Sequence, residues 1–164
     1  MPDPQHSANG GRDHWGRTFE PVEICLAETD NGVRDVLGQL LETLDPLDLE
    51  REERDTVELV LAEVLNNIVE HAYAGSPTQG VIRLTAKMRT NGLHITVLDD
   101  GVPMPGGVTP LGMAQDLNVD LDDLPEGGFG WFLIRDLAKD VHYQRAGGCN
   151  QLDLRLAVAL PPAH

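Results

Sequence analysis

The sequence predicts an α/β protein, a two-layer α/β sandwich in which a mixed sheet carries helices on one face. Three observations lead there. The apolar periodicities order the elements β-α-α-β-β-loop-α-β-β, so helices do not alternate with strands as they do in a doubly wound fold. Glycine-containing turn signals join short alternating runs into hairpins. A chain of 164 residues, 41% hydrophobic and 24% charged, suits a single domain with a core of its own.

The elements follow in order. Residues 1–15 are rich in Pro, Gly, Asn and Asp and are expected to form a disordered tail, leaving 16–164 as one domain. A strand is expected over Arg17–Ala27, where Val22, Ile24 and Leu26 alternate with polar neighbours. Asp30 is the expected cap of a helix with Val33, Val36, Leu37, Leu40, Leu41 and Leu44 on one stripe, and Pro46 ends it. A second helix runs from about Asp48 to Tyr73 on the stripe Val57, Val60, Leu61, Val64, Leu65 and Ile68. Strands Gly80–Arg89 and Leu93–Leu98 flank Asn91-Gly92, a strong hairpin signal. Gly101–Gly128 reads as a long loop, with three prolines before position 111, then acidic residues and no Lys or Arg. Loops of that length in compact domains are functional lids or disordered. A third helix spans Gly128 to Lys139, and strands Asp140–Arg145 and Gln151–Leu160 close the chain around Gly147-Gly148.

Charge narrows the function. Twelve Lys and Arg stand against 27 Asp and Glu, a formal charge of -15. Such a surface repels nucleic-acid backbones and anionic lipid, so neither DNA, RNA nor membrane is expected as a direct partner. Basic proteins, metals and nucleotide–metal complexes remain open. No signal-peptide pattern is visible, and no apolar run reaches the ~20 residues of a membrane span. Cys25 and Cys149 match no metal or redox spacing and are expected to be buried thiols of a cytoplasmic protein. The six His residues include no zincin pair.

Three places depart from plain folding needs. On the second helix, Glu63 and Asn67 are four apart and share a face, and two Asn residues sit in mid-helix, where Asn is a weak helix former. This is either an ordinary wet face or a carboxylate and an amide aimed at one point, a pair that suits Mg²⁺ beside a proton acceptor. Asp99-Asp100-Gly101 closes an apolar strand. It is either turn chemistry or a carboxylate that needs donors, of which the amino group of adenine is one. Gly127-Gly128-Phe129-Gly130 runs into an apolar helix with no Ser, Thr, Asp or Asn cap. It is either a hinge or a helix end open to phosphate. No Walker A lysine follows it.

Taken in order and spacing, these segments resemble the GHKL ATPase superfamily, and within it the RsbW-like anti-sigma factor serine kinases. LAEVLNNIVEHAY resembles that family's N-box. VLDDGVPMP resembles its first glycine box, and LPEGGFGWFLIRDLAKDVHY followed by GGCNQLDLRL its second glycine box and closing strand. The resemblance covers about Phe19 to Leu160. It implies the Bergerat fold with an ATP lid, ATP and Mg²⁺ as cofactors, Glu63 as general base and Asn67 as the magnesium position. It implies that Asp99 reads adenine, that Gly101 lies against the nucleotide and that Gly128 and Gly130 flank the phosphates. Asn150 stands where many relatives carry a Thr near the base. Pro103 replaces a frequent second glycine, and Glu126 stands where many relatives carry a basic residue. The implied function is that of an ATP-dependent serine kinase and anti-sigma factor. Its partners would be a sigma factor and a STAS-domain antagonist, its kinase substrate, with homodimerisation implied by the family. The alternatives are a non-catalytic ATP-binding module of the same fold, and the catalytic domain of a histidine kinase. The second is disfavoured because no helical phosphoacceptor segment is seen.

Overall fold

A computed structural model describes residues 22–25, 32–73, 80–107 and 128–159. The expected N-terminal tail and most of the expected lid lie outside the described residues, as does Asp30. Five strands form one sheet: β1 (Val22–Cys25), β2 (Val81–Arg89), β3 (Gly92–Asp99), β4 (Ala138–Ala146) and β5 (Cys149–Leu156), in the order β1-β2-β3-β5-β4. Three α-helices accompany it: α1 (Val33–Leu44), α2 (Arg51–Asn67) and α3 (Gly128–Leu137).

The two-layer sandwich stands, but the sheet is not mixed. Every strand pair among the described residues is antiparallel. The reason lies in the last hairpin. β3 and β4 run in the same sense around α3, as a single-helix crossover requires, yet β5 is inserted between them and opposes both. A parallel relation exists without a parallel hydrogen-bonded pair.

Alternation sets the layers. Ile82, Leu84, Ala86 and Met88 of β2 face Asp99, Val97, Ile95 and Leu93 of β3, and the last three face Leu152, Leu154 and Leu156 of β5. All are buried. They pack with Leu40, Leu44, Val57, Val60, Leu61, Val64, Leu65 and Ile134 of the helices into one core. The opposite face carries Arg83, Thr85, His94, Thr96, Gln151 and Asp153, none of them buried. The period-2 pattern thus decides which face the helices cover.

Several boundaries move for local reasons. α2 begins at Arg51 because Asp45–Leu47 form a 3-10 turn around Pro46 and Asp48 takes a left-handed φ of 49°. The Arg54 guanidinium holds that turn through Asp45 at 2.6 Å. Glu53 accepts the N–H of Glu50 at 3.2 Å, which caps α2. The β2–β3 turn is Thr90-Asn91 rather than Asn91-Gly92, because Arg89 pairs with Gly92. Gly92 enters the strand with φ 129° against the carbonyl of Leu156, where a side chain would collide. Gly147 and Gly148, at φ 61° and 78°, make the two-residue β4–β5 turn as expected. α3 stops at Leu137 because Ala138 and Lys139 pair with Leu156 and Arg155. Cys149, expected buried, is exposed at the strand end beside that turn.

Candidate functional site

The inward rows of the sheet end in polar residues. Continuing the apolar ladder by one register step brings Asp99 opposite Asn150, both buried. They are the buried polar residues among the described ones, and they line a cavity of about 480 Å³. The walls are apolar: Val64 and Ile68 from the end of α2, Met104 from the loop after β3, Trp131 from α3, and Tyr143 and Leu152 from the sheet. Asn67, His71, Asp99 and Asn150 supply polar groups. A mostly apolar pocket with a few convergent polar atoms is the usual form of a small-molecule site.

Asp99 is fixed on one side only. Its Oδ1 accepts from Asn150 Nδ2 at 2.7 Å and from the Gly101 N–H at 3.0 Å. Its Oδ2 receives no hydrogen bond among the described residues. Burial raises the Asp99 carboxyl above the ordinary carboxylate range, against the pull of the Asn150 and Gly101 hydrogen bonds. A donor arriving from the cavity would meet an unpartnered oxygen.

The loop behind Asp99 is clamped to the end of α2. After Asn67 the helix widens into a π-turn, Ile68–Ala72, a feature common at functional sites. The Ala72 carbonyl accepts the Val102 N–H at 2.9 Å. Gly101 packs so tightly there that a Cβ would stand 2.5 Å from the Ala72 oxygen. The Tyr73 hydroxyl donates to the Asp100 carboxylate and accepts the Asp100 N–H at 3.0 Å. Burial and the neighbouring carboxylate push the Tyr73 phenol well up. The Tyr73 hydrogen bond holds Asp100 below the ordinary carboxylate value.

Glu63 and Asn67 face the first turn of α3. A Cβ on Gly130 would stand 2.6 Å from Glu63 Oε2 and 3.5 Å from Asn67 Nδ2. A side chain at residue 130 would push the Glu63 carboxylate aside. The Nδ2 atom of Asn67 is buried without a hydrogen-bond partner. Burying such a group costs about 1–3 kcal/mol, so an orphaned amide at a cavity wall marks a ligand position. No cluster of three or more His, Cys, Asp or Glu is present among the described residues. The orphaned Nδ2 is a donor and calls for an acceptor such as a phosphate oxygen, while the amide oxygen of Asn67 and the Glu63 carboxylate are the oxygen ligands that fit Mg²⁺, which binds through one or two protein groups and takes its other ligands from water and phosphate.

The structure therefore brings Asn67, Asp99 and Asn150 to one cavity and sets Glu63 and Gly130 against each other beside Asn67. Gly101 contacts Ala72 and is not among the residues lining that cavity. Gly128 begins α3. His71 shares the polar face of the second helix with Glu63 and Asn67, as expected from the sequence, whereas Met104, Trp131 and Tyr143 were not expected at the site. Trp131 directly follows the glycines, so proximity to that motif was the available signal. Met104 and Tyr143 join the site only through the sheet order.

An α/β sandwich with a polar-ended apolar cavity between its helices and sheet defines a small-molecule-binding domain. Residues 25–156 match the histidine kinase-like ATPase domain family, and the chain belongs to it. Its relatives lie on the RsbW branch. It is 33% identical over 102 residues to the serine/threonine-protein kinase BtrW of Bordetella bronchiseptica, which covers 62% of this chain and 68% of the relative. It is 24% identical over 135 residues to the serine-protein kinase RsbW of Bacillus mycoides, covering 82% of this chain and 83% of that one. The crystal structure of the RsbU and RsbW domains of Rv1364c from Mycobacterium tuberculosis superposes with a TM-score of 0.56 at 20% identity. That match covers 87% of this chain and 33% of the larger chain, and it shows the fold. No helix among the described residues is long and apolar enough to cross a membrane.

Proposed function

We propose that this chain is an ATP-dependent serine protein kinase that phosphorylates a STAS-domain antagonist and also sequesters a sigma factor. The observation that carries the reading is the meeting of Glu63, Asn67 and Gly130 beside the cavity. A carboxylate stands within a turn of a buried amide whose Nδ2 has no partner among the described residues, under a helix start where a Cβ would displace that carboxylate. Relatives named as serine-protein kinases support it.

The division of labour follows from the chemistry of each group. The unpartnered Oδ2 of Asp99 accepts the exocyclic amino group of adenine, and Trp131, Met104 and Ile68 enclose the base. Asn67 would hold Mg²⁺, which when bound supplies charge neutralisation to the phosphates. Gly128 and Gly130 open the α3 N-terminus to the phosphates. Glu63 takes the proton from the incoming serine hydroxyl. Residue 63 shows no cationic partner among the described ion pairs, so its carboxylate is not committed elsewhere.

The -15 charge suits the anti-sigma role. A sigma factor presents basic DNA-binding surfaces, and an acidic protein is drawn to them where a nucleic-acid binder would be repelled. Phosphorylated antagonist brings about -1.5 to -2 further charge to an already acidic surface and is released. The test mixes the purified chain with Mg-ATP and the STAS-domain protein of the same genome. Transfer of the γ-phosphate to a serine supports the reading. Nucleotide binding without transfer would leave a regulatory module of the same fold.

A further inference from the structure

We propose that Arg145, acting through Asn150, is a positioning residue that holds the Asp99 carboxylate in the orientation that reads the base. This rests on the nucleotide-binding reading above and deepens it.

Asn150 is buried, 4% exposed. Its amide fills all four hydrogen-bonding positions. Oδ1 accepts from the Tyr143 hydroxyl at 2.6 Å and from Arg145 Nη1 at 2.7 Å. Nδ2 donates to Asp99 Oδ1 at 2.7 Å and to the Val102 carbonyl at 2.9 Å. A buried amide with every position filled is a rigid element.

Three of the four partners decide which end of the amide is which: the Val102 carbonyl and the Asp99 carboxylate accept at Nδ2, and at the Oδ1 end Arg145 alone decides. A guanidinium only donates, and an ionised carboxylate only accepts. The reversed amide would set its NH₂ against Arg145 and its oxygen against Asp99. Tyr143 is less decisive, because a hydroxyl both donates and accepts. Arg145 is thus the group that fixes the amide from the solvent side. Its Nη1 also donates to the Gly101 carbonyl at 3.0 Å, tying the edge strand β4 to the loop that begins beyond Asp99.

The consequence reaches the base through Asp99. Asn150 and the Gly101 N–H occupy Oδ1 of this cavity-lining carboxylate, and Oδ2 has no partner among the described residues. The Asn150 hydrogen bond favours the ionised carboxylate against its burial. Without Arg145 the Oδ1 end of the amide is held only by the Tyr143 hydroxyl, which can donate or accept, so Asn150 sits less firmly and its hold on the Asp99 carboxylate loosens. Asn150 then acts as a support for the base-reading carboxylate.

Calorimetric titration with Mg-ADP and Mg-IDP tests this, because hypoxanthine carries a carbonyl where adenine carries an amino group. The wild-type protein should prefer ADP. Arg145→Met should weaken ADP about tenfold, as expected for a charge-assisted support, and leave IDP unchanged. Arg145→Lys, which keeps one donor, should restore most of the preference. Tyr143→Phe should lower the preference in the same direction by less. Equal weakening of both nucleotides would signal loose packing and overturn the positioning role. A wild-type ADP/IDP ratio in both Arg145→Met and Tyr143→Phe would overturn it as well. Wild-type protein that binds neither nucleotide, or both alike, would overturn the nucleotide reading itself and this proposal with it.

Discussion

Gly130→Ala separates what glycine does for the helix from what it does for the site. In an ordinary helix interior the change stabilises, by about 0.5–1 kcal/mol, because alanine loses less backbone entropy. Here the new methyl would stand 2.6 Å from Glu63 Oε2, whereas ordinary contact begins at 3.4 Å. The carboxylate must retreat by about 0.8 Å, and it can, since the Glu63 side chain is only half-buried. Global stability should therefore change little, the helix gain offsetting the displaced carboxylate. Phosphoryl transfer should not escape so lightly. A misplacement of about 1 Å costs on the order of 10²-fold when a reacting group must be in line. The assay is γ-phosphate transfer to the STAS-domain protein, run beside thermal melts of Gly130→Ala in the Glu63 and Glu63→Ala backgrounds. With the carboxylate removed, the alanine should raise the melting temperature by about 1–4 °C. Wild-type transfer in a folded Gly130→Ala protein, or the same melting shift in both backgrounds, would refute the contact as the reason for this glycine.

Glu63→Gln keeps the shape but removes the base, so transfer should fall by about 10²–10⁴-fold with nucleotide affinity nearly unchanged; a wild-type rate would remove Glu63 from the chemistry. Asp99→Asn should weaken ATP and ADP together, by about 1.5–3 kcal/mol, measured by calorimetry. The same variant should melt no lower than wild type, because the raised carboxyl of Asp99 means that its ionisation opposes folding; that cost is absent below its unfolded pKa and fully present above its folded one. Asp100 acts with the opposite sign: its lowered carboxyl contributes stability above the unfolded carboxylate pKa, lost as pH falls through the folded one. Tyr73→Phe should shrink that acid dependence, read as melting temperature against pH, and an unchanged profile would mean that the Tyr73–Asp100 hydrogen bond does not set it.

How much of this was legible in the chain depends on how far apart the cooperating residues lie. The helix stripes and the strand alternation were readable because each is a local period, and the covered face of the sheet follows from them. Asp99 was readable for a related reason, a carboxylate directly after HITVL standing where the inward row calls for another apolar residue. Glu63 and Asn67 were readable as neighbours because one helical turn joins them. Beyond that range local patterns lose their hold. Asn150 meets Asp99 across 51 residues, and only the insertion of β5 between β3 and β4 brings them opposite. No local period encodes strand order, so the mixed sheet was the natural expectation and the antiparallel one a tertiary outcome. Gly130 shows the same boundary from the other side. Its glycine was visible as a break in an apolar helix, but the cause, a carboxylate on another helix, was not. The polar residues that propensity cannot explain mark where two distant segments must cooperate, and here they lead to the same cavity.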